Sequence, residues 1–165
     1  MRHDASVATE LKITLGESVV ATLAATVSTL VLEVPVWAMF VGWISYFTRG
    51  VNLRQGLINL TCVFVGLGLG IAAGAATQVL TPHLGSATLT AVVFAVSVLV
   101  LSLRHLPVFN NLLGFFLGLV AFFASHKPPS WNAFTELGLA AAVGAAAAGI
   151  AVVLQRLALR ADARA

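Results

Sequence analysis

The chain has 165 residues, 59% hydrophobic and only 9% charged, with a formal net charge of +3 and a mean hydropathy of +0.99. A soluble domain carries about 25% charged residues, so this composition excludes an ordinary water-soluble fold and points to a membrane protein. Nine Lys and Arg residues are too few for a nucleic-acid partner, and the lone Cys62 can form no intramolecular disulfide.

Residues 1–12, MRHDASVATELK, carry charged and titratable side chains without an apolar core. They read as a cytosolic lead and not as a cleaved signal. Six apolar runs follow, near 13–33, 35–48, 53–80, 86–103, 107–125 and 133–157. With roughly 20 residues needed per crossing, these predict an all-α polytopic protein. It comprises one six-span transmembrane domain over 13–157 and a basic cytosolic tail at 158–165.

In the first run, Ser18, Thr22, Thr26, Thr29 and Glu33 recur at helical spacing, which places them on one face. Such a stripe suits a hydrated path for a small polar solute, with Glu33 as an acceptor for a cation. It also suits hydroxyls that bond their own backbone or join helices. Glu17 falls near the expected start, where a carboxylate favours the positive end of a helix.

Glu33-Val34-Pro35 leaves scarcely a loop before the second run. From Pro35 to Thr48 that run would reach only about 21 Å, against a hydrocarbon core of about 30 Å. Phe40, Trp43 and Phe47 share a face there, as an aromatic wall for an organic cation would require. The third run, Leu53 to Leu80, reaches about 42 Å and must tilt, bend or project. Its Gly66, Gly70 and Gly74 form a ridge for close helix packing, and Ala140, Gly144 and Ala148 do the same in the sixth. Pro107 is expected to start the fifth run, placing Asn110 and Asn111 inside apolar sequence, where amides must face protein or water. Arg156, Arg160 and Arg164 should carry the last helix out to the headgroups.

Two of these runs resemble each other. AMFVGWISYFT at 38–48 aligns with GFFLGLVAFFA at 114–124, matching Phe40 with Phe116, Gly42 with Gly118 and Phe47 with Phe123. Ala38 with Gly42, and Gly114 with Gly118, are small residues four apart, a spacing that lets a second backbone approach. Each stretch is the second of three runs. A duplicated set of three enters the membrane with opposite polarity, so the expectation is a three-plus-three inverted repeat, with halves at about 13–80 and 86–157. Placing Arg2, Lys12, Arg49, Arg54, Arg104, Arg156, Arg160 and Arg164 on one side leaves only Lys127 on the other. By the positive-inside rule both termini are cytosolic.

The run PVWAMFVGWISYFTRG, the Gly-rich long helix, the TPHL loop and LPVFNNLLGFFLGLVAFFA together resemble small bacterial inner-membrane proteins of the domain of unknown function 1097 family. The likeness extends from about residue 20 to 155 and rests on glycines, aromatics and hydropathy. It implies a multi-spanning protein of the bacterial inner membrane and transfers no activity.

No acidic residue pairs with His or Cys at metal-ligand spacing, and GLGLGIAAG at 66–74 lies inside an apolar run without a following Lys. No enzyme, cofactor or metal is therefore expected. The favoured expectation is a small-solute channel or permease, lined by Thr22, Thr26, Thr29, Glu33, Gly42, Trp43, Asn110, Asn111 and Gly118. Its surroundings would be the lipid bilayer, a small polar or cationic solute and further copies of the chain. The alternative is a non-transporting subunit or scaffold that binds a partner membrane protein through its glycine-rich faces.

Overall fold

The computed structural model describes residues 7–163; Arg2 and Arg164, both counted in the charge asymmetry, lie outside them. Among these residues the chain forms six helices: α1 (Val7–Leu30), α2 (Val36–Tyr46), α3 (Leu53–Leu84), α4 (Ala87–Leu103), α5 (Leu112–Ala124) and α6 (Trp131–Asp162). The expected all-α class is what is found. Helices α1, α3 and α6 are long and apolar enough to cross a membrane, whereas α2, α4 and α5 are shorter apolar helices.

Several boundaries differ from the expected runs, for local chemical reasons. Helix α1 begins at Val7 inside the expected lead, because Ala, Leu, Glu and Lys are strong helix formers whether or not they are apolar. Glu10, not Glu17, therefore occupies the first turn. The helix stops at Leu30, and the Val34 amide donates to the Ser28 carbonyl at 2.9 Å, closing a turn in which Glu33 has a φ of 53°. Helix α3 continues past Leu80 with Pro82 inside its last turn and ends at Gly85, whose φ of 52° suits the residue after a helix. Helix α5 starts at Leu112, not at Pro107. Asn111 is its N-cap, accepting from the Gly114 amide at 3.2 Å, since Asn favours caps over helix interiors. Helix α6 is capped by Ser130 and includes Arg156 and Arg160.

The long helices α3 and α6 form the spine, each 32 residues and so about 48 Å in length. Helix α2 lies along α6 and α5 lies along α3; α1 flanks α6 and α4 flanks α3. The first two helices thus pack mainly on the last, and the fourth and fifth mainly on the third. Helix α3 also touches α6, and α2 touches α5.

The ends of the bundle differ in charge. Arg49 donates to the Val108 carbonyl at 3.3 Å and to Asn110, and Arg156 donates to the Val51 carbonyl. These contacts gather the α2–α3 turn, the α4–α5 loop and the last turns of α6 at one end, here the arginine end. At the other, Lys127 pairs with Glu136 at 2.8 Å. Between them, Met39, Val63, Leu67, Phe115 and Leu137 are almost wholly buried.

Candidate functional site

The densest polar arrangement lies at the arginine end, where α2 finishes and α3 and α5 begin. Asn59 on α3 is fully buried and Asn111 is 5% exposed. The Asn111 side-chain amide donates to Asn59 Oδ1 at 2.8 Å and to Thr48 Oγ1 at 2.6 Å. Asn59 donates to the Tyr46 and Arg49 carbonyls at 3.3 and 3.4 Å, satisfying oxygens that the end of α2 leaves open. Above them the Arg49 guanidinium donates from Nε to Gln55 Oε1 at 3.1 Å and reaches Asn110 and Val108. A cation beyond the C-terminus of α2 is also favoured by the helix dipole.

This cluster joins three helices and two loops with its amides satisfied internally. Such a buried network rigidifies and specifies a packing arrangement. Its one charged group, the Arg49 guanidinium, is a planar fork of N–H donors aimed at Gln55, Asn110 and the Val108 carbonyl, so the cluster is built for holding. Sequence reasoning found Asn110 and Asn111 here but placed them within a helix. It missed Arg49 as their partner, and Asn59, Thr48 and Gln55 entirely. The available signal was Asn59, a lone amide in the apolar stretch LINLTC.

Midway along the bundle, glycines bring backbones together. A Cβ on Gly42 would fall on the Ala141 carbonyl, and one on Gly144 would fall on the Met39 carbonyl, so α2 and α6 touch main chain to main chain. A Cβ on Gly118 would meet the Val63 carbonyl, and one on Gly66 the Phe115 carbonyl, giving α5 and α3 the same contact. Gly70 and Gly74 receive the ring of Phe122, and Gly114 approaches Cys62. Ala38 is buried in the same core. Gly42 and Gly118 therefore hold helices together and line no opening at these crossings. The glycine ridges expected to dock a partner are engaged within the chain.

The hydroxyl stripe points the other way. Thr22, Thr26 and Thr29 are exposed, while the buried edge of α1 carries Ile13, Ala24 and Ser28. The three threonines line an open groove of about 450 Å³ on the flank of the bundle, with Ala21, Ala25 and Phe40. Each hydroxyl bonds the carbonyl one turn back: Thr22 to Ser18 at 2.8 Å, Thr26 to Thr22 at 2.9 Å, and Thr29 to Ala25 at 2.9 Å. Glu33 is exposed in the following turn. On α2, Phe40 and Phe47 are exposed while Trp43 is half-buried against the core, so these rings form no enclosed wall. The expected path residues are thus divided among an outer groove, two helix crossings and the polar cluster.

Because the threonines bond their own helix, Thr22→Val, Thr26→Val and Thr29→Val should each change stability by under about 0.5 kcal/mol. Thermal unfolding in detergent checks this, and a larger loss would reveal a tertiary role for the hydroxyls.

The model of the family described as "Protein of unknown function (DUF1097)" matches residues 14–152. The chain belongs to that family. No curated protein and no solved structure matches it.

Proposed function

We propose that this member of the DUF1097 family crosses the bacterial inner membrane six times, with both termini in the cytosol, as a non-transporting subunit that associates with a second copy of itself. The observation that carries this reading is the main-chain contact at Gly42, Gly144, Gly118 and Gly66. The two crossings, α2 on α6 and α5 on α3, set against backbone both of the glycines that a solute path between the repeated segments would use. The aqueous phase is then kept from the centre by backbone.

An inverted three-plus-three repeat is supported by correspondences that extend well beyond the motif. Gly42 meets Ala141 as Gly118 meets Val63, and Gly144 meets Met39 as Gly66 meets Phe115. Pro35 caps α2 where Asn111 caps α5, and α3 and α6 have equal lengths. An odd number of crossings per half gives the halves opposite directions. The cytosolic assignment of the arginine end rests on the charge asymmetry across the membrane.

The surface offered to the second copy is the outer face of α1, whose Ala21, Ala25 and threonines give the small-residue profile of associating membrane helices. Cysteines placed singly at Thr22, Thr26 and Thr29 are expected to cross-link between copies in native membranes. The native Cys62, fully buried, adds little background. Failure of all three positions to cross-link would overturn the assignment of this face.

One observation favours a second reading. The hydroxyl stripe lies in an open groove, so two copies facing each other there would enclose a threonine-lined passage outside either core. That passage would require flux which falls in Thr22→Val and Thr26→Val without loss of folding.

A further inference from the structure

We propose that the cleft where the second half of α6 meets the end of α2 and the start of α3 holds one anionic glycerophospholipid, with its phosphate at Arg156 and an ester carbonyl accepting from the Tyr46 hydroxyl. The inference rests on the membrane reading above. Arg156, Tyr46 and Leu53 line a single space of about 520 Å³ together with Ala146, Ile150 and Val153. Polar and apolar walls therefore belong to one cleft. Leu53, Ala146, Ile150 and Val153 are exposed, so the cleft opens on the flank of the bundle, where the surroundings are lipid.

Two polar groups select the occupant. Tyr46, the last residue of α2, is only 6% exposed, and its ring is packed between Gly56 of α3 and Gly149 of α6. Its hydroxyl lies 3.7 Å from where a Cβ on Gly149 would stand, and Gly149 itself lines the cleft. A buried phenol ordinarily finds a hydrogen-bond partner. This hydroxyl has none among the described residues, although the Tyr46 carbonyl accepts from Asn59. The Arg156 guanidinium gives one donor to the Val51 carbonyl and offers the rest of its fork to the cleft. Gly149 and Arg156 are two turns apart on α6, about 10 Å along its axis, and Ala146 lies one turn further in. The occupant must therefore carry an anionic group, a second polar group at a greater depth and an apolar chain beyond both. A glycerophospholipid does so with its phosphate, its esters and its acyl tails. A basic pocket between helices at the cytosolic side is also where anionic headgroups are recognised.

The probe is phosphatidylglycerol, added to delipidated full-length protein in mild detergent, with bound lipid counted by native mass spectrometry. The wild type should retain one molecule per chain, at least about fivefold more tightly than phosphatidylcholine, and Arg156→Gln should erase that preference. Tyr46→Phe should weaken retention of both lipids about fivefold. Ala146→Phe, at an exposed position in the cleft, should weaken it about tenfold with an unfolding temperature near that of the wild type. Arg160→Gln, one turn further along α6, is the control and should change retention less than about twofold. Equal retention of the two lipids, unchanged retention in Ala146→Phe or Tyr46→Phe, or a loss in Arg160→Gln as large as that in Arg156→Gln, would overturn the proposal. A chain that purifies without detergent would instead refute the membrane reading, whereas one that needs detergent and retains no lipid refutes this site alone.

Discussion

Gly42→Ala and Gly144→Ala are expected to destabilise the bundle by about 3 kcal/mol or more each, a large effect for a single methyl group. Overpacking a core ordinarily costs about 1–3 kcal/mol, because neighbouring side chains can change rotamer. Here the added Cβ would fall on the main chain of the opposing helix, at Ala141 and Met39 respectively. A carbonyl fixed in a helix cannot move aside, so α2 and α6 would have to separate along their contact. Gly118→Ala and Gly66→Ala should do the same to α5 and α3. The internal control is Gly16→Ala: Gly16 sits within α1 with nothing near its missing Cβ, and alanine there should gain about 0.5–1 kcal/mol from helix propensity. Unfolding temperatures in one detergent, measured side by side, decide the matter. Equal behaviour of Gly42→Ala and Gly16→Ala would refute the close crossing. Substitution at Gly42 therefore reports on folding and not on a path.

Asn111→Leu is expected to cost about 1–3 kcal/mol. Leucine removes both amide donors and leaves Asn59 Oδ1 without that partner in a buried setting, while the first turn of α5 loses its cap. Asn59→Leu should cost a similar amount by uncovering the carbonyls that close α2. Since the two side chains bond each other, the double substitution should cost less than the sum, with a coupling of about 0.5–2 kcal/mol. A chemical-unfolding series in a single detergent measures this coupling. Strict additivity would mean that the two amides act separately.

The fold class and the six helices were legible because apolar runs bounded by charge and proline survive in sequence as a one-dimensional signal. Gly42 and Gly118 were legible for a related reason: a close crossing tolerates only glycine at its tightest point, and each sits at one. The direction in which the hydroxyl stripe faces was not legible. Helical spacing places Thr22, Thr26 and Thr29 together, but Ile13, Ala24 and Ser28 follow a comparable spacing on another face. In a protein surrounded by lipid, apolarity does not distinguish inside from outside. The polar cluster was half legible. Asn111 is conspicuous in its run, but its partners Thr48 and Asn59 are 63 and 52 residues away, and only the folded chain brings them together. The start of α5 was misplaced because Pro107 is a good first residue for a helix, whereas the caps that Asn110 and Asn111 offer compete with continuing one.

The packed centre makes the most exposed claim about what this protein does. Purified protein should be reconstituted at known density into liposomes and challenged with small polar and cationic solutes, including water, urea, glycerol and guanidinium, with flux followed by light scattering. Rates indistinguishable from those of empty vesicles are predicted for every solute. A solute that crosses faster with protein, at a rate proportional to protein density and unchanged by Thr22→Val and Thr26→Val, would contradict the closed centre.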